Sequence, residues 1–212
     1  MKHIVLLGDS IFDNAAYVAE GDAVIHHLQQ AIPEEWKASL LAVDGSVAAD
    51  VPAQTLRVPP SATHLILSTG GNDALGALCV FTERVQTVQG ALLELARIRG
   101  QFRRDYRNAL AHVLECELPT SVCTIYNAVP GLDMPSATAL ALFNEVILEE
   151  AFRAMVPVID LRVLCTAPCD YSEISPIEPS SIGGKKIVNA ILKLLAAHNF
   201  DANTSTVIGR AD

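Results

Sequence analysis

Five short and nearly unbroken apolar runs, separated by longer amphipathic stretches, constrain this chain more than any other feature. They cover residues 3–8, 36–43, 64–69, 121–129 and 156–162. A strand with one wet face alternates apolar and polar side chains, so runs without alternation suit strands covered on both faces, as in a parallel sheet. The intervening segments carry helical spacing. Val24, Leu28 and Ala31 form one stripe within residues 22–31, and Leu140, Phe143, Ile147 and Phe152 lie on or near one face within 137–155. Two further helices are expected over 82–99 and 102–115, broken at Gly100, and a last one over 182–197. Strand alternating with helix implies right-handed crossovers. The expected fold class is α/β, a three-layer α/β/α sandwich on a five-stranded parallel sheet.

No repeat, low-complexity tract or linker divides the 212 residues, so a single domain is expected over 1–200. The polar residues 201–212 are expected to be a frayed tail. With half of its residues hydrophobic and only 18% charged, the chain is too apolar to be disordered. Its longest apolar runs fall far short of the roughly 20 residues of a membrane helix. The run behind Met1-Lys2-His3 stops at Gly8-Asp9-Ser10, unlike a signal peptide, and a cytoplasmic protein is expected. A net charge of −9, with no basic cluster beyond Arg103-Arg104, argues against nucleic acid as a partner. Cys165 and Cys169 lie four apart, but no second pair or histidine completes a zinc set; reduced structural thiols and no metal are expected.

In an open parallel sheet, ligands bind at the carboxyl ends of the strands. Gly8-Asp9-Ser10 follows the first run, Asp44-Gly45-Ser46 the second and Gly70-Gly71-Asn72-Asp73 the third. The fourth is followed by Pro130 and Gly131, which carry no obvious chemistry. Ser10 would expose its hydroxyl near a helix N-terminus, where amide dipoles favour developing negative charge. Gly45 has no Cβ to keep its N–H from a ligand, and Asn72 offers a side-chain donor. With the Ser10 N–H they would form an oxyanion hole. Each piece alone is a common turn; three at successive strand ends converge on one job. Asp9 is expected to hold the Ser10 turn, Asp73 to brace the Asn72 loop, and Asp13 and Asn14 to stabilise a first helical turn. Tyr17 is expected in the core, and Arg103, Arg104 and Arg107 on a solvated helix face.

These blocks resemble those of the GDSL, or SGNH, hydrolases. The resemblance rests on Leu7-Gly8-Asp9-Ser10, Gly45, the Gly-x-Asn-Asp of residues 70–73, and Pro179-Ser180-x-x-Gly183-Gly184-x-x-Ile187. It implies a flavodoxin-like sandwich that hydrolyses a small-molecule ester without cofactor, with Ser10 as nucleophile and Ser10 N–H, Gly45 and Asn72 as oxyanion donors. The family's last block reads Asp-x-x-His-Pro. Here the histidine position holds Glu178 and the aspartate position Ser175. None of the six histidines falls at the expected catalytic edge, which leaves Glu178 and Asp170 as carboxylates near the gap. Glu178, between Pro176 and Pro179, stands either as the base, if burial raises its pKa, or as a charge at the start of the last helix. The missing histidine also admits a protein that kept the fold for binding and lost catalysis. A nucleotide or flavin binder is disfavoured, because no Gly-x-Gly-x-x-Gly or Walker sequence follows a strand.

Overall fold

Successive side chains of the first strand, β1 (His3–Gly8), point to opposite faces of the sheet and are buried on both. Ile4 and Leu6 meet one apolar layer, Val5 and Leu7 the other. The computed structural model describes residues 2–202 and 204–209. Its remaining strands are β2 (Lys37–Leu40), β3 (His64–Ser68), β4 (Thr120–Cys123), β5 (Val158–Ile159) and β6 (Val207–Ile208). All pair in parallel, in the order β2-β1-β3-β4-β5-β6. The helices are α1 (Val24–Ala31), α2 (Val51–Thr55), α3 (Gly71–Gly76), α4 (Val88–Leu114), α5 (Met134–Arg153), α6 (Leu161–Leu164) and α7 (Ser181–Ala197). Val24 and Leu28 of α1 pack with Ile187, Ile191 and Leu194 of α7 on one face. Tyr106 and Leu110 of α4 pack with Phe143 and Ile147 of α5 on the other. Strand order reverses between β1 and β3, and that switch point places the loops after both strands around one crevice.

The α/β/α sandwich agrees with the sequence expectation, and four details differ. The sheet has six strands: Val207 and Ile208, in the tail expected to fray, pair with Val158 and Ile159. They satisfy edge amides of β5 that would otherwise face water, and Ile208 is buried. The run at 156–162 splits after two strand residues, because the Asp160 carboxylate caps the helical turn α6. The run at 121–129 leaves the sheet after Cys123, where Asn144 of α5 holds both backbone groups of Ile125.

The helix α4 is continuous through Gly100. A helical glycine costs about 1 kcal/mol, and burial of Phe102 and Tyr106 together with ion pairs to α5 outweighs it. Arg99 and Arg103 pair with Glu149, and Arg107 donates twice to Glu150 at 2.8 and 2.9 Å. Arg103 and Arg107 thus bind α4 to α5 and are not merely a solvated face. Among the described residues no helix is long and apolar enough to cross a membrane.

Candidate active site

Gly8 ends β1 with φ of +120°, and a Cβ there would lie 1.7 Å from the Ser68 carbonyl oxygen. Only glycine lets β1 approach β3 this closely. The buried Gln54 of α2 clamps the same residue, accepting from Gly8 N–H at 2.7 Å and donating to its carbonyl at 2.8 Å. Asp9 then turns the chain by accepting from Ile11 N–H at 3.2 Å, as expected. Ser10 follows in a turn and not at a helix N-terminus; a single 3₁₀ turn begins only at Ala15 and the first α-helix, α1, at Val24. No helix of its own segment therefore places a dipole at its hydroxyl.

The Ser10 hydroxyl instead donates to Glu178 Oε1 at 3.0 Å. Glu178 is 4% exposed, and its Oε2 has no partner among the described residues. Burial raises its pKa from 4.5 to about 7, helped by the Asp44 charge and opposed by the Ser10 hydrogen bond. It does not cap α7: Ser180 does, its hydroxyl accepting from Ile182 and Gly183 N–H. Three consecutive carbonyls around Glu178 are held from three directions. Tyr126 Oη donates to Ile177, Ser172 N–H to Glu178 at 2.9 Å, and Asn14 Nδ2 to Pro179 at 3.0 Å. Asn14 thus fastens the Glu178 loop, and Asp13 accepts from Asp44 N–H at 2.9 Å; neither serves the helical first turn expected of it.

Gly45 adopts φ of +78°, a left-handed conformation that glycine takes without strain. The amides of Ser10 and Gly45 have no acceptor among the described residues. Asn72, in the first turn of α3, donates through Nδ2 to Ser46 O at 2.9 Å, keeping its second amide hydrogen. Asp73 accepts from Ala48 N–H at 3.0 Å and so braces the Gly45 loop, while Tyr17, half-buried and not core, donates to Asp44 at 2.7 Å. Ser10, Asn72 and Glu178 all line one groove; Gly45 lies outside its lining, next to the Ser46 that Asn72 holds.

Asp170 is not part of this arrangement. It is fully buried, pairs with Lys186 and accepts from Thr166 and Ala167 N–H. Nor does any histidine reach Ser10 or Glu178 by a hydrogen bond. His3 bonds Ser39 and Ser61, His27 Ser181, His64 Thr63, His112 the Asn108 carbonyl and His198 Thr206. His26 Nδ1 has no partner among the described residues. Asp9 is a second buried carboxyl in the groove. Its pKa rises to about 8, chiefly through burial, with Glu178 and Asp73 adding to the rise and the Ile11 amide opposing it.

The sequence assigns no chemistry to the loop after β4, yet Tyr126, Val129 and Leu132 line the groove together with Leu75, Leu78 and Phe81. The groove encloses about 910 Å³, the open space at its mouth included. Gln54, Ser172 and Tyr126 carry no motif; each matters through a partner more than forty residues away or across a loop.

No known family profile matches the chain, and no curated protein matches it in sequence. Solved structures do match in fold. A lipase from a goat rumen metagenome is 18% identical, with a TM-score of 0.70 over 99% of each chain. An acetyl xylan esterase is 14% identical, with a TM-score of 0.67 over 91% of this chain and 99% of that one. A member of the lipolytic G-D-S-L family from Veillonella parvula is 14% identical, with a TM-score of 0.67 over 93% of this chain and all of that one. The fold is that of the GDSL, or SGNH, hydrolases.

Proposed function

We propose that the protein hydrolyses carboxylic esters, with Ser10 as nucleophile and Glu178 as general base where the resembling family carries histidine. The observation that supports this reading above all others is the 3.0 Å hydrogen bond from Ser10 Oγ to a buried carboxylate at the end of an apolar groove. Ser10 Oγ attacks the ester carbonyl carbon while its proton passes to Glu178. The carbonyl π bond opens to an oxyanion, which on this reading Ser10 N–H, Gly45 N–H and the second Asn72 amide hydrogen stabilise. Collapse breaks the bond to the alcohol oxygen, which leaves with the proton from Glu178 and gives an acyl-Ser10 ester. Water then attacks that ester, Glu178 takes its proton, and the carboxylic acid departs as Ser10 recovers its hydrogen.

A base whose pKa lies near 7 is suited to this exchange, because it both accepts and returns a proton at neutral pH. Among the described residues no aspartate hydrogen-bonds to it. The three fixed carbonyls at residues 177–179 supply the rigidity that an orienting partner gives elsewhere. The test is fluorophosphonate labelling and p-nitrophenyl butanoate turnover by wild type, Ser10→Ala and Glu178→Gln. The expected result is a label on Ser10, no turnover in Ser10→Ala, and a loss of about 10²–10⁴-fold in Glu178→Gln. A wild type that neither labels nor turns over ester would favour a binding protein on this fold. Undiminished turnover in Glu178→Gln would remove Glu178 as the base.

A further inference from the structure

We infer that the groove selects esters with a medium to long unbranched alkyl chain and disfavours acetylated sugars; this deepens the hydrolase reading and rests on it. The groove starts at the reacting atoms, since Ser10, Asn72 and Glu178 form part of its wall. The rest of its wall is mainly apolar and includes Leu75, Leu78, Ile98, Leu140 and Phe143.

A sugar in such a groove would have to shed water from several hydroxyls, and an unpaired buried polar group is costly. The lining has little to offer in exchange. Tyr126 Oη is committed to the Ile177 carbonyl, one Asn72 hydrogen to Ser46, Asp9 to the Ile11 amide and Glu178 to Ser10, which leaves Ser136 as the further hydroxyl in the wall. Among the described residues no lysine or arginine lines the groove, so a cationic group to meet sugar hydroxyls is lacking, and its aromatic rings, Phe81, Tyr126 and Phe143, sit among aliphatic side chains. The sole tryptophan, Trp36, packs elsewhere under Lys2.

The wall residues are also incompletely covered by the protein itself. Leu75, Leu78 and Phe81 remain 41%, 45% and 46% exposed. An alkyl chain lying along them completes their burial, and each methylene it adds should tighten binding about three- to fourfold until the groove is filled.

The experiment uses the Ser10→Ala protein, so that binding is read without turnover. Calorimetry is run with methyl esters from acetate to dodecanoate, and in parallel with alkyl acetates of rising alcohol length. Tightening by about three- to fourfold per methylene in the first series places the acyl chain in the groove, and in the second series the alcohol chain; either supports the inference. Equal affinity along both series, or acetylated xylobiose binding better than the longest alkyl ester, overturns it. Ala139→Phe narrows the groove from α5 and should end the gain at a shorter chain; an end point identical to the unsubstituted groove would also overturn it. The hydrolase reading fails separately, if wild type binds these esters with the expected length dependence and turns none of them over.

Discussion

Exchanging Glu178 for glutamine keeps the size of the side chain and its ability to accept from Ser10, and removes only the ionisable group. In the folded protein that group has its pKa raised from 4.5 to about 7, chiefly by burial. A carboxyl with a raised folded pKa favours folding below its unfolded value, and that advantage is lost as pH rises through the folded value. Above about pH 7 the native state therefore holds a carboxylate in a place that disfavours it. At about 1.36 kcal/mol per unit, the shift sets an upper limit of about 3 kcal/mol. Water at the mouth of the groove screens the charge, and about 1–2 kcal/mol is the expected effect. Glu178→Gln should then raise the melting temperature by roughly 3–6 °C at pH 8.5 and change it little near pH 4.5. Thermal unfolding of both proteins at the two pH values measures the difference directly. The Glu178 charge also raises the neighbouring Asp9 pKa, so its removal lowers that pKa and adds to the gain at pH 8.5. A gain of equal size at both pH values would refute the reasoning, as would a loss at pH 8.5; either would mean that the carboxylate is not held against its preference. Together with lost turnover, the expected gain would mark a residue whose charge serves chemistry at the expense of stability.

Other expectations follow from the same geometry. The kcat/KM of wild type for a short ester should rise with pH along a single ionisation near 7, since Glu178 must be deprotonated to act; a flat profile from pH 5 to about 9 would contradict it. Asn72→Ala should lower kcat by about 10²–10³-fold with little change in KM, measured by steady-state kinetics. Gly8→Ala would force a Cβ against the Ser68 carbonyl, and should cost more than about 3 kcal/mol in urea unfolding or leave no folded protein. Glu150→Gln removes the charge and one of the two acceptors that meet Arg107, whose hydrogen bonds and charge keep the Glu150 pKa below its ordinary value. Its stabilisation is present above the unfolded pKa and lost as pH falls, so the variant should lose about 1 kcal/mol at pH 7 and almost nothing at about pH 3.

The sequence by itself determined the layered architecture, because an unalternated strand such as Ile4–Val5–Leu6–Leu7 has no stable place except between two apolar layers. It also determined the turn at Gly8-Asp9-Ser10 and the left-handed turn at Gly45, whose requirements are set by a few neighbouring atoms. Local chemistry of this kind is written in consecutive residues. What only the tertiary structure decided is everything that depends on distant segments meeting. The continuity of α4 through Gly100 rests on ion pairs to a helix more than forty residues on, and β6 forms because the edge of β5 is open beside it. Glu178 is the plainest case. Its sequence setting is equally suited to a base and to a charge at the start of α7. The tertiary structure gives it a partner 168 residues away, Ser10, with Tyr126, Ser172 and Asn14 fixing the backbone between Ile177 and Pro179. A side chain's partner across such a span is set by the packing of the whole sheet and its loops, and no short stretch of sequence contains that information.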